Sequence, residues 1–303
     1  MRLTLRQLQI FAAVADTGST TAAGLQVALS QSATSGALKE LETLLGAQLF
    51  DRVGKRLVLN DMGRALLPQA RALQDGAQDI EQQFGVGHSA RARRAVATQL
   101  RIGASTTIGN YLLPTLIASH MAAEPEVGIG MTIGNTSDVA AAVARLEVDI
   151  GFIEGPCHEP ELRALPWLDD ELVIVCAPSH PLVADERPGA RIGVKALRQQ
   201  RWLLREPGSG TREAVEHALL PQLHQWLQPM QLGSTEAIKQ AAAEGLGVAC
   251  LSLCAVQDLL TLRRLQLVNS TLPKLTRRFY LIHHRHKKFS ASLQRFRSHC
   301  QVV

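Results

Sequence analysis

The sequence predicts a mixed α/β protein with three parts: a small N-terminal module, one long helix, and a larger C-terminal α/β domain of two lobes. Three observations support this class. Residues 5–45 carry apolar side chains at helical spacing and precede a short alternating hairpin, residues 61–84 carry a long helical seam, and residues 99–303 alternate apolar strands with helices. Such alternation predicts a mostly parallel sheet covered by helices on both faces.

The first 60 residues predict three short helices and a hairpin. Apolar residues from Leu5 to Ala15 lie at the spacing of one helical face. A short Ala-rich helix is expected over Thr21–Ala28, and a third helix from about Gln31 to Gly46, because glycine commonly ends a helix. Two alternating segments around Gly54–Lys55 then predict a hairpin with a basic tip.

This arrangement is typical of a winged helix-turn-helix, whose second helix enters the major groove of DNA. Amides and hydroxyls at the start of that helix suit base edges, and cations suit phosphates. The expected DNA contacts are therefore polar or basic side chains of the helices and the hairpin: Thr21, Gln31, Ser32, Thr34, Ser35, Lys39, Arg52, Lys55 and Arg56. The alternative interpretation of these residues is a polar, solvated helix face.

Residues 61–84 predict one long helix with a narrow apolar seam. The seam residues are spaced 4, 3, 4, 3 and 4 apart, which is the heptad spacing of a coiled coil: Leu66, Ala70, Leu73, Ala77, Ile80 and Phe84. We interpret the helix as a dimerisation element, the alternative being a helix packed on its own domain. Residues 85–98 combine glycines and arginines without apolar periodicity, which indicates a hinge between domains.

Residues 99–303 predict two lobes with a cleft between them, one formed by about 99–170 and 269–303 and the other by about 171–268. Several strand-to-helix junctions carry hydroxyls, amides or glycines, and helix N-termini with such residues favour small anions. Ordinary helix capping is the alternative for each junction. The expected effector contacts are Ser105, Thr106, Thr107, Asn135, Thr136, Glu206, Gly208, Ser209, Gly210, Thr211, Ser234 and Thr235.

Composition excludes several classes. The chain has 303 residues, 46% of them hydrophobic, without an apolar run long enough for a membrane span or a signal peptide, so we expect a soluble cytoplasmic protein without a membrane partner. The five cysteines form no CxxC motif, and His283, His284 and His286 have no carboxylate or cysteine nearby to complete a metal site. No phosphate-binding lysine loop or G-x-S-x-G motif occurs, so we expect neither an enzyme nor a cofactor.

The net charge of +5 is distributed unevenly. Residues 1–94 carry +3, residues 95–272 carry −6 and residues 273–303 carry +8. A basic surplus at both ends of an acidic middle suggests nucleic-acid binding at one end, the alternative being ordinary basic surface residues. For residues 273–303 we expect a solvated edge strand and helix. The acidic middle means that an anion site there would depend on local helix ends rather than on net charge.

The N-terminal sequence closely resembles the DNA-binding domain of LysR-type transcriptional regulators. The matching motifs are LRQL-x-x-F, SQ-x-x-x-S at 30–35, LE-x-x-LG at 41–46, LF-x-R at 49–52 and LN-x-x-G at 59–63. The resemblance implies a double-stranded operator, a dimer of dimers, contact with RNA polymerase, and a C-terminal domain similar to type 2 periplasmic binding proteins with a small effector in its cleft. The sequence departs from the family pattern at Thr20, Gly24 and Gly36.

A narrower resemblance concerns the effector. The segments REPGSGTR and GSTEAIKQAAAEGLGVA resemble the branch of the family that regulates sulfur-assimilation genes, including those for sulfite reductase, which implies a sulfur oxyanion such as sulfite. Glu206 and Glu236 would repel an anion unless they are paired or directed away. The alternatives are a regulator of the same family that responds to an organic carboxylate, an α/β enzyme, or a solute-binding protein.

Overall fold

The structure, a computed structural model, describes residues 3–54, 56–83, 99–184 and 191–301. Lys55, Phe84 and the predicted hinge over residues 85–98 lie outside the described residues. In the N-terminal module the structure has three helices and a two-stranded hairpin, as expected: α1 (Leu5–Thr17), α2 (Thr20–Gln26), α3 (Gln31–Leu45), β1 (Phe50–Val53) and β2 (Arg56–Leu59).

Local chemistry places the helix ends of this module. Thr4, Ser19 and Ser30 are the N-cap residues of the three helices, and each side-chain oxygen accepts a hydrogen bond from a backbone N–H of the first turn. Gly18 and Gly46 end α1 and α3 with φ of 64° and 67°, a left-handed conformation that glycine adopts without steric cost. The helices therefore begin and end where the sequence provides caps.

The long helix α4 (Asp61–Gln83) packs its first half against the N-terminal module. Leu67 and Ala70 are buried in the same core as α1 and α3, and Leu66 packs against it from the edge. The prediction that Ala70 belongs to a seam facing a partner is therefore wrong, because the module's own core buries it completely. Leu66 is only partly buried, so its place in the seam stays a prediction. Leu73 and Ile80 are 52% and 60% exposed, so the seam of this chain is open only further along α4.

The C-terminal domain alternates strands and helices as predicted. Its elements are β3 (Gln99–Ser105), α5 (Thr106–Tyr111), α6 (Leu113–Ala123), β4 (Gly128–Gly134), α7 (Thr136–Ala144), β5 (Ile150–Glu154), β6 (Leu162–Cys176), α8 (Pro181–Ala184), α9 (Val194–Arg198), β7 (Arg201–Leu204), α10 (Gly210–Leu223), β8 (Leu227–Gln231), α11 (Thr235–Ala243), β9 (Val248–Ser252), α12 (Leu253–Thr261), β10 (Gln266–Leu267), β11 (Leu275–His284) and α13 (Ala291–Cys300).

One continuous sheet runs through both lobes in the order β4-β3-β5-β11-β6-β9-β7-β8, with β10 paired to β6. Strand β3 pairs in parallel with β4 and β5, and β7 pairs in parallel with β8 and β9. The long strands β6 and β11 are antiparallel to each other and join the two lobes. Because α5, α7, α10 and α11 each follow a parallel strand, their N-termini meet at the carboxyl edge of the sheet, between the lobes.

A buried lysine connects α4 with the C-terminal domain. Lys287 Nζ donates hydrogen bonds of 2.9 Å to Asp75 on α4 and to Asp149, which precedes β5. The Lys287 side chain is 5% exposed, and Asp149 is also paired with Arg101 of β3. The Lys287 and Arg101 charges hold the pKa of Asp149 well below its usual range, although burial opposes this. Lys287 therefore joins the long helix α4 to the start of β5 in one lobe.

The described cysteine and histidine residues are neither disulfide-bonded nor grouped into a metal-binding cluster. All five cysteines are free thiols, and burial raises the pKa of Cys176, Cys250 and Cys300 to about 12. Among the described residues, no three side chains of the kinds that ligate metals come together. None of the described helices combines the length and the apolar character that crossing a membrane requires.

Two glycines of α4 give opposite predictions for stability. A Cβ atom at Gly63 would collide with the Leu49 carbonyl oxygen, whereas at Gly76 nothing lies within 4 Å. We therefore expect Gly63→Ala to lower the free energy of unfolding by about 1–3 kcal/mol, since overpacking strains the surroundings. Gly76→Ala serves as the matched control and is expected to raise it by about 0.5–1 kcal/mol through helix propensity. Urea unfolding of both variants tests this, and equal changes of the same sign would contradict it.

Candidate functional site

The N-terminal module carries a polar groove between α3 and the hairpin. The groove has a volume of about 620 Å³ and is lined by residues of both elements, among them Gln31, Ser35, Lys39 and Arg52. Outside the groove, the predicted contacts Thr21, Ser32 and Arg56 are also exposed. The arrangement brings hydrogen-bonding side chains and cations to one concave face, as contact with DNA bases and phosphates requires.

Thr34 does not belong to this face, and the prediction for it is wrong. Its side chain is fully buried, and Oγ1 donates a 2.9 Å hydrogen bond to the carbonyl oxygen of Ser30 one turn earlier. A Cβ atom at Gly24 would lie 2.9 Å from this hydroxyl and 2.7 Å from the Leu29 carbonyl oxygen. The departure from the family pattern at Gly24 thus lets α2 approach α3 closely, with Thr34 at the contact.

Thr20 is a second position at which the sequence departs from the family pattern, and its side chain contacts a residue of the groove. The Gln31 side-chain amide Nε2 donates a 3.2 Å hydrogen bond to the hydroxyl of Thr20, at the start of α2. This contact joins the two helices of the helix-turn-helix and restricts the rotamers of a predicted base contact. Gly36, the third departure, lies on the exposed face of α3, where a Cβ atom would have nothing within 4 Å, and it offers no side chain to DNA.

In the C-terminal domain, a buried arginine lies where the lobes meet. The Arg277 side chain, on β11, is 3% exposed and donates hydrogen bonds of 2.6 Å to Glu154 of β5 and 2.7 Å to Asp170 of β6. Thr211 at the start of α10 donates to Glu154 at 2.5 Å and accepts from Arg277 at 3.0 Å. Thr107 closes the cluster, because its backbone N–H donates to Glu154 at 2.8 Å.

The protonation state of this cluster follows from its contacts. Burial raises the pKa of Glu154, but the Arg277 charge and the hydrogen bonds from Thr211 and Thr107 lower it further, to about 2. Burial lowers the pKa of Arg277, and its two carboxylate partners raise it above the ordinary value. The Glu154 carboxylate and the Arg277 guanidinium are therefore both charged although both are removed from solvent.

A second buried arginine, Arg205, connects hydroxyls of the two lobes. Its Nη1 donates 2.8 Å to Thr235 at the start of α11, and its Nη2 donates 3.3 Å to Thr106 at the start of α5. Its Nε and Nη2 also form a double 2.8 Å contact with the carboxylate of Glu206. Asn135 at the start of α7 donates to the same carboxylate at 3.4 Å.

The predicted effector residues thus lie together between the lobes, and most already have partners. Thr106, Thr235 and Glu206 surround Arg205, while Thr107 and Thr211 surround Glu154. Four others cap helices or contact backbone: Asn135, Thr136, Ser209 and Ser234. Gly208 and Gly210 permit close contact between the lobes. A Cβ atom at Gly210 would collide with the Glu154 carbonyl oxygen, and a Cβ atom at Gly208 would lie 3.0 Å from Ser137 Oγ. Ser105 is buried at the end of β3, directly before α5.

Two further contacts join the lobes at their outer edges. Lys239 of α11, whose side chain is 3% exposed, donates 3.1 Å to the hydroxyl of Tyr111 on α5. His158 and Glu213 form a 2.9 Å contact beside a cavity of about 430 Å³ that also includes Cys157 and Arg212. These two contacts therefore join the lobes directly, in addition to those made by Arg205.

Sequence reasoning did not identify Arg205, Arg277 or Glu154 as site residues. Arg205 and Glu206 stand side by side in the REPGSGTR segment, whose glycines and hydroxyls were the features that indicated a site. Arg277 lies in the basic segment 273–303, where the charge surplus suggests a solvated surface strand. Its burial depends on two carboxylates more than 100 positions away in the chain, so no local pattern indicates it.

A winged helix-turn-helix joined to a two-lobed α/β domain with a polar cleft is the architecture of a ligand-regulated DNA-binding protein. The family model "Bacterial regulatory helix-turn-helix protein, lysR family" matches residues 5–64, and the model "LysR substrate binding domain" matches residues 93–302. The chain therefore belongs to the LysR family of DNA-binding transcriptional regulators, which carry an effector-binding domain. The predicted fold class and family are confirmed.

Relatives and solved structures agree with this assignment. The HTH-type transcriptional regulator YeiE of Escherichia coli strain K12 is 48% identical over 300 residues, covering 99% of this chain and 98% of YeiE. The regulator CysL of Bacillus subtilis is 30% identical over 276 residues, covering 91% of this chain and 89% of CysL. These relatives are transcriptional regulators rather than enzymes.

Among solved structures, a full-length OxyR variant of Pseudomonas aeruginosa matches with a TM-score of 0.77 at 23% identity, covering 100% of this chain and 94% of that chain. The regulatory domain of CcmR from Synechocystis, in complex with 2-PG, matches with a TM-score of 0.60 at 28% identity, covering 68% of this chain and 97% of that chain. The first match supports the fold of the whole chain, and the second that of the C-terminal domain.

The buried cluster predicts a pH-dependent loss of stability. In Arg277→Met, Glu154 and Asp170 lose their shared cation, and we expect the free energy of unfolding at pH 7 to fall by about 3–5 kcal/mol. The stabilising effect of Glu154 in the wild type is complete above pH 4.5 and is lost as the pH falls toward about 2. In the variant the pKa of Glu154 is higher, so Glu154 is protonated at a higher pH and its unpaired buried charge disappears. The difference in the free energy of unfolding between the wild type and the variant therefore becomes smaller between pH 7 and 4.

Denaturant unfolding of both proteins across this pH range measures the deficit. Arg278→Met is the matched control. Arg278 is the next residue of β11, is exposed to solvent, and pairs with the exposed Asp169 of β6. Little change is expected there. A deficit in Arg277→Met that stays constant from pH 7 to 4 would contradict the assignment.

Proposed function

We propose that this LysR-family regulator reads its operator with the groove between α3 and the hairpin, and that a small anion bound between the lobes at Arg205 controls it. Sulfite or a related sulfur oxyanion is the first candidate effector, and an organic carboxylate is the alternative. The observation that supports the proposal most directly is the buried Arg205, whose guanidinium contacts hydroxyls of both lobes at Thr106 and Thr235.

The surroundings of Arg205 favour an anion although the middle of the chain is acidic. Guanidinium groups present a planar fork of donors that matches an oxyanion, and hydroxyls supply further hydrogen bonds. The lobes meet directly around this residue, which favours a ligand of a few atoms over a bulky carboxylate. The CcmR regulatory domain was solved with 2-PG, so a similar domain takes a small ligand.

The proposed regulation acts through assembly. The exposed part of α4, including Leu73 and Ile80, would pack against the same helix of a second copy, and two dimers would form a tetramer on a two-fold-related operator. Effector binding would shift the population between two arrangements of the tetramer, provided that it binds one of them more tightly. The change would alter DNA bending and recruitment of RNA polymerase in the cytoplasm.

The DNA interface is tested by removing the two polar groups at the start of α3. We expect the double variant Gln31→Ala, Ser35→Ala to lose roughly 10- to 100-fold in specific affinity, because a base-edge contact is worth about 1–3 kcal/mol. Fluorescence anisotropy on a duplex selected from a random pool by the wild-type chain measures this. Gln69→Ala, exposed on α4, is the control, and unchanged affinity in the double variant would exclude α3 as the reader.

The effector site is tested by a thermal-shift screen of sulfite, sulfate, thiosulfate, phosphate and common carboxylates. A ligand at a hundred times its Kd stabilises the folded protein by about 2.7 kcal/mol, which raises the melting temperature measurably. We expect Thr106→Val to weaken binding of the active anion about fivefold through the lost hydroxyl. Thr115→Val, on the exposed face of α6, is the control, and a wild-type chain that no anion stabilises would refute the anion site.

A further inference from the structure

We propose that the Glu206 carboxylate is a resident anion that holds the effector's place on Arg205, and that an oxyanion effector binds by displacing it. This inference rests on the proposed function of the cleft and specifies how ligand entry is regulated. It starts from the double contact of Glu206 with Arg205, in which two carboxylate oxygens meet two guanidinium N–H groups at 2.8 Å each. A pyramidal or tetrahedral oxyanion would use the same pair of donors.

Charge balance requires the exchange. Arg205 and Glu206 together are neutral, and the Arg205 side chain is 3% exposed. A second anion added beside this pair would bring an unpaired negative charge into a desolvated place, which is strongly unfavourable. If the incoming anion replaces Glu206, the buried guanidinium keeps one counter-charge throughout, and the displaced carboxylate regains its hydration.

The contacts of Glu206 allow it to leave. Its side chain is 22% exposed, and beyond Arg205 its carboxylate accepts a long hydrogen bond of 3.4 Å from Asn135 and one from its own backbone N–H. The next residues are Pro207 and Gly208, and Gly208 has a φ of 85°, so the segment turns directly after Glu206. Thr106 and Thr235 hold Arg205 independently of Glu206, so the guanidinium stays in place when the carboxylate departs.

The Arg277 cluster provides the internal comparison. Its carboxylates come from two different strands and are 2% and 7% exposed, and a threonine or a serine also binds each of them. Those carboxylates are structural counter-ions that cannot leave without disrupting the sheet. Glu206 differs because it is adjacent to its arginine in sequence and lies at the edge of the cleft.

The exchange also explains how effector binding would change the contacts between the two lobes. Asn135 caps α7 in one lobe, and Glu206 belongs to the segment before α10 in the other. Displacement of Glu206 breaks this contact between the lobes and substitutes contacts of the ligand. An anion that binds Arg205 only in the displaced state must then shift the population of lobe arrangements.

The test measures sulfite and sulfate binding to the full chain by isothermal titration calorimetry. We expect Glu206→Gln to bind the active anion about tenfold more tightly than the wild type, because an amide holds a guanidinium less strongly than a carboxylate does. Glu236→Gln is the matched control. Glu236 lies in the first turn of α11, and its carboxylate contacts Lys239 rather than Arg205, so its removal tests for a general electrostatic effect.

A second variant tests directly whether an external anion can bind the Arg205 donors that Glu206 occupies in the wild type. In Glu206→Ala the donors of Arg205 lose their internal carboxylate, so formate should bind this variant, compete with sulfite there, and fail to bind the wild type. Tighter sulfite binding in Glu206→Gln but not in Glu236→Gln, together with formate binding in Glu206→Ala, supports the exchange.

Contrary outcomes separate the two proposals. Equal or weaker anion binding in Glu206→Gln, while the wild type binds, would mean that Glu206 only orients Arg205, which overturns the exchange and leaves the anion site intact. If neither the wild type nor any Glu206 variant binds sulfite or sulfate, while circular dichroism shows all of them folded, the exchange and the sulfur-oxyanion proposal both fail.

Discussion

The buried contact of Arg277 with Glu154 and Asp170 is the constraint on which the rest of the C-terminal domain depends. It joins β11 to β5 and β6, the strands through which the lobes are connected, and it includes Thr211 from the start of α10. A buried ion cluster of this kind is costly to break, because each charge left behind would be desolvated and unpaired. The cluster therefore fixes the starts of α10 and α5 relative to the three strands that connect the lobes.

Two buried arginines occupy this region with different roles. Arg277 is saturated by carboxylates from separate strands, which makes it part of the architecture. Arg205 is paired with the adjacent Glu206, at the edge of the cleft, and reaches hydroxyls of both lobes. The difference lies in how firmly the rest of the fold holds each counter-ion. Arg205 thus places a buried positive charge in a domain that is acidic overall, with the adjacent Glu206 as its counter-ion.

The long helix α4 connects the two functions of the chain. Its first half is buried in the DNA-binding module through Leu67 and Ala70, and Asp75 contacts Lys287, which also holds Asp149 beside β5. The helix is thus attached to the DNA reader by apolar packing and to the regulatory domain by a buried charge. The same helix therefore contacts both the DNA-binding module and the regulatory domain.

Local spacing and short motifs were enough to predict the three helices and the hairpin of the N-terminal module, the glycine that ends α3, the alternation of strands and helices in the C-terminal domain, and the family. They also located the polar junctions that meet between the lobes. Long-range packing determines which of those side chains are free to act. Thr34 is buried by the close approach of α2 that Gly24 permits, Ala70 is taken up by its own domain, and Arg205 and Arg277 gain their roles from partners distant in the chain. Burial and charge pairing are properties of contacts between remote segments, so no local pattern specifies them.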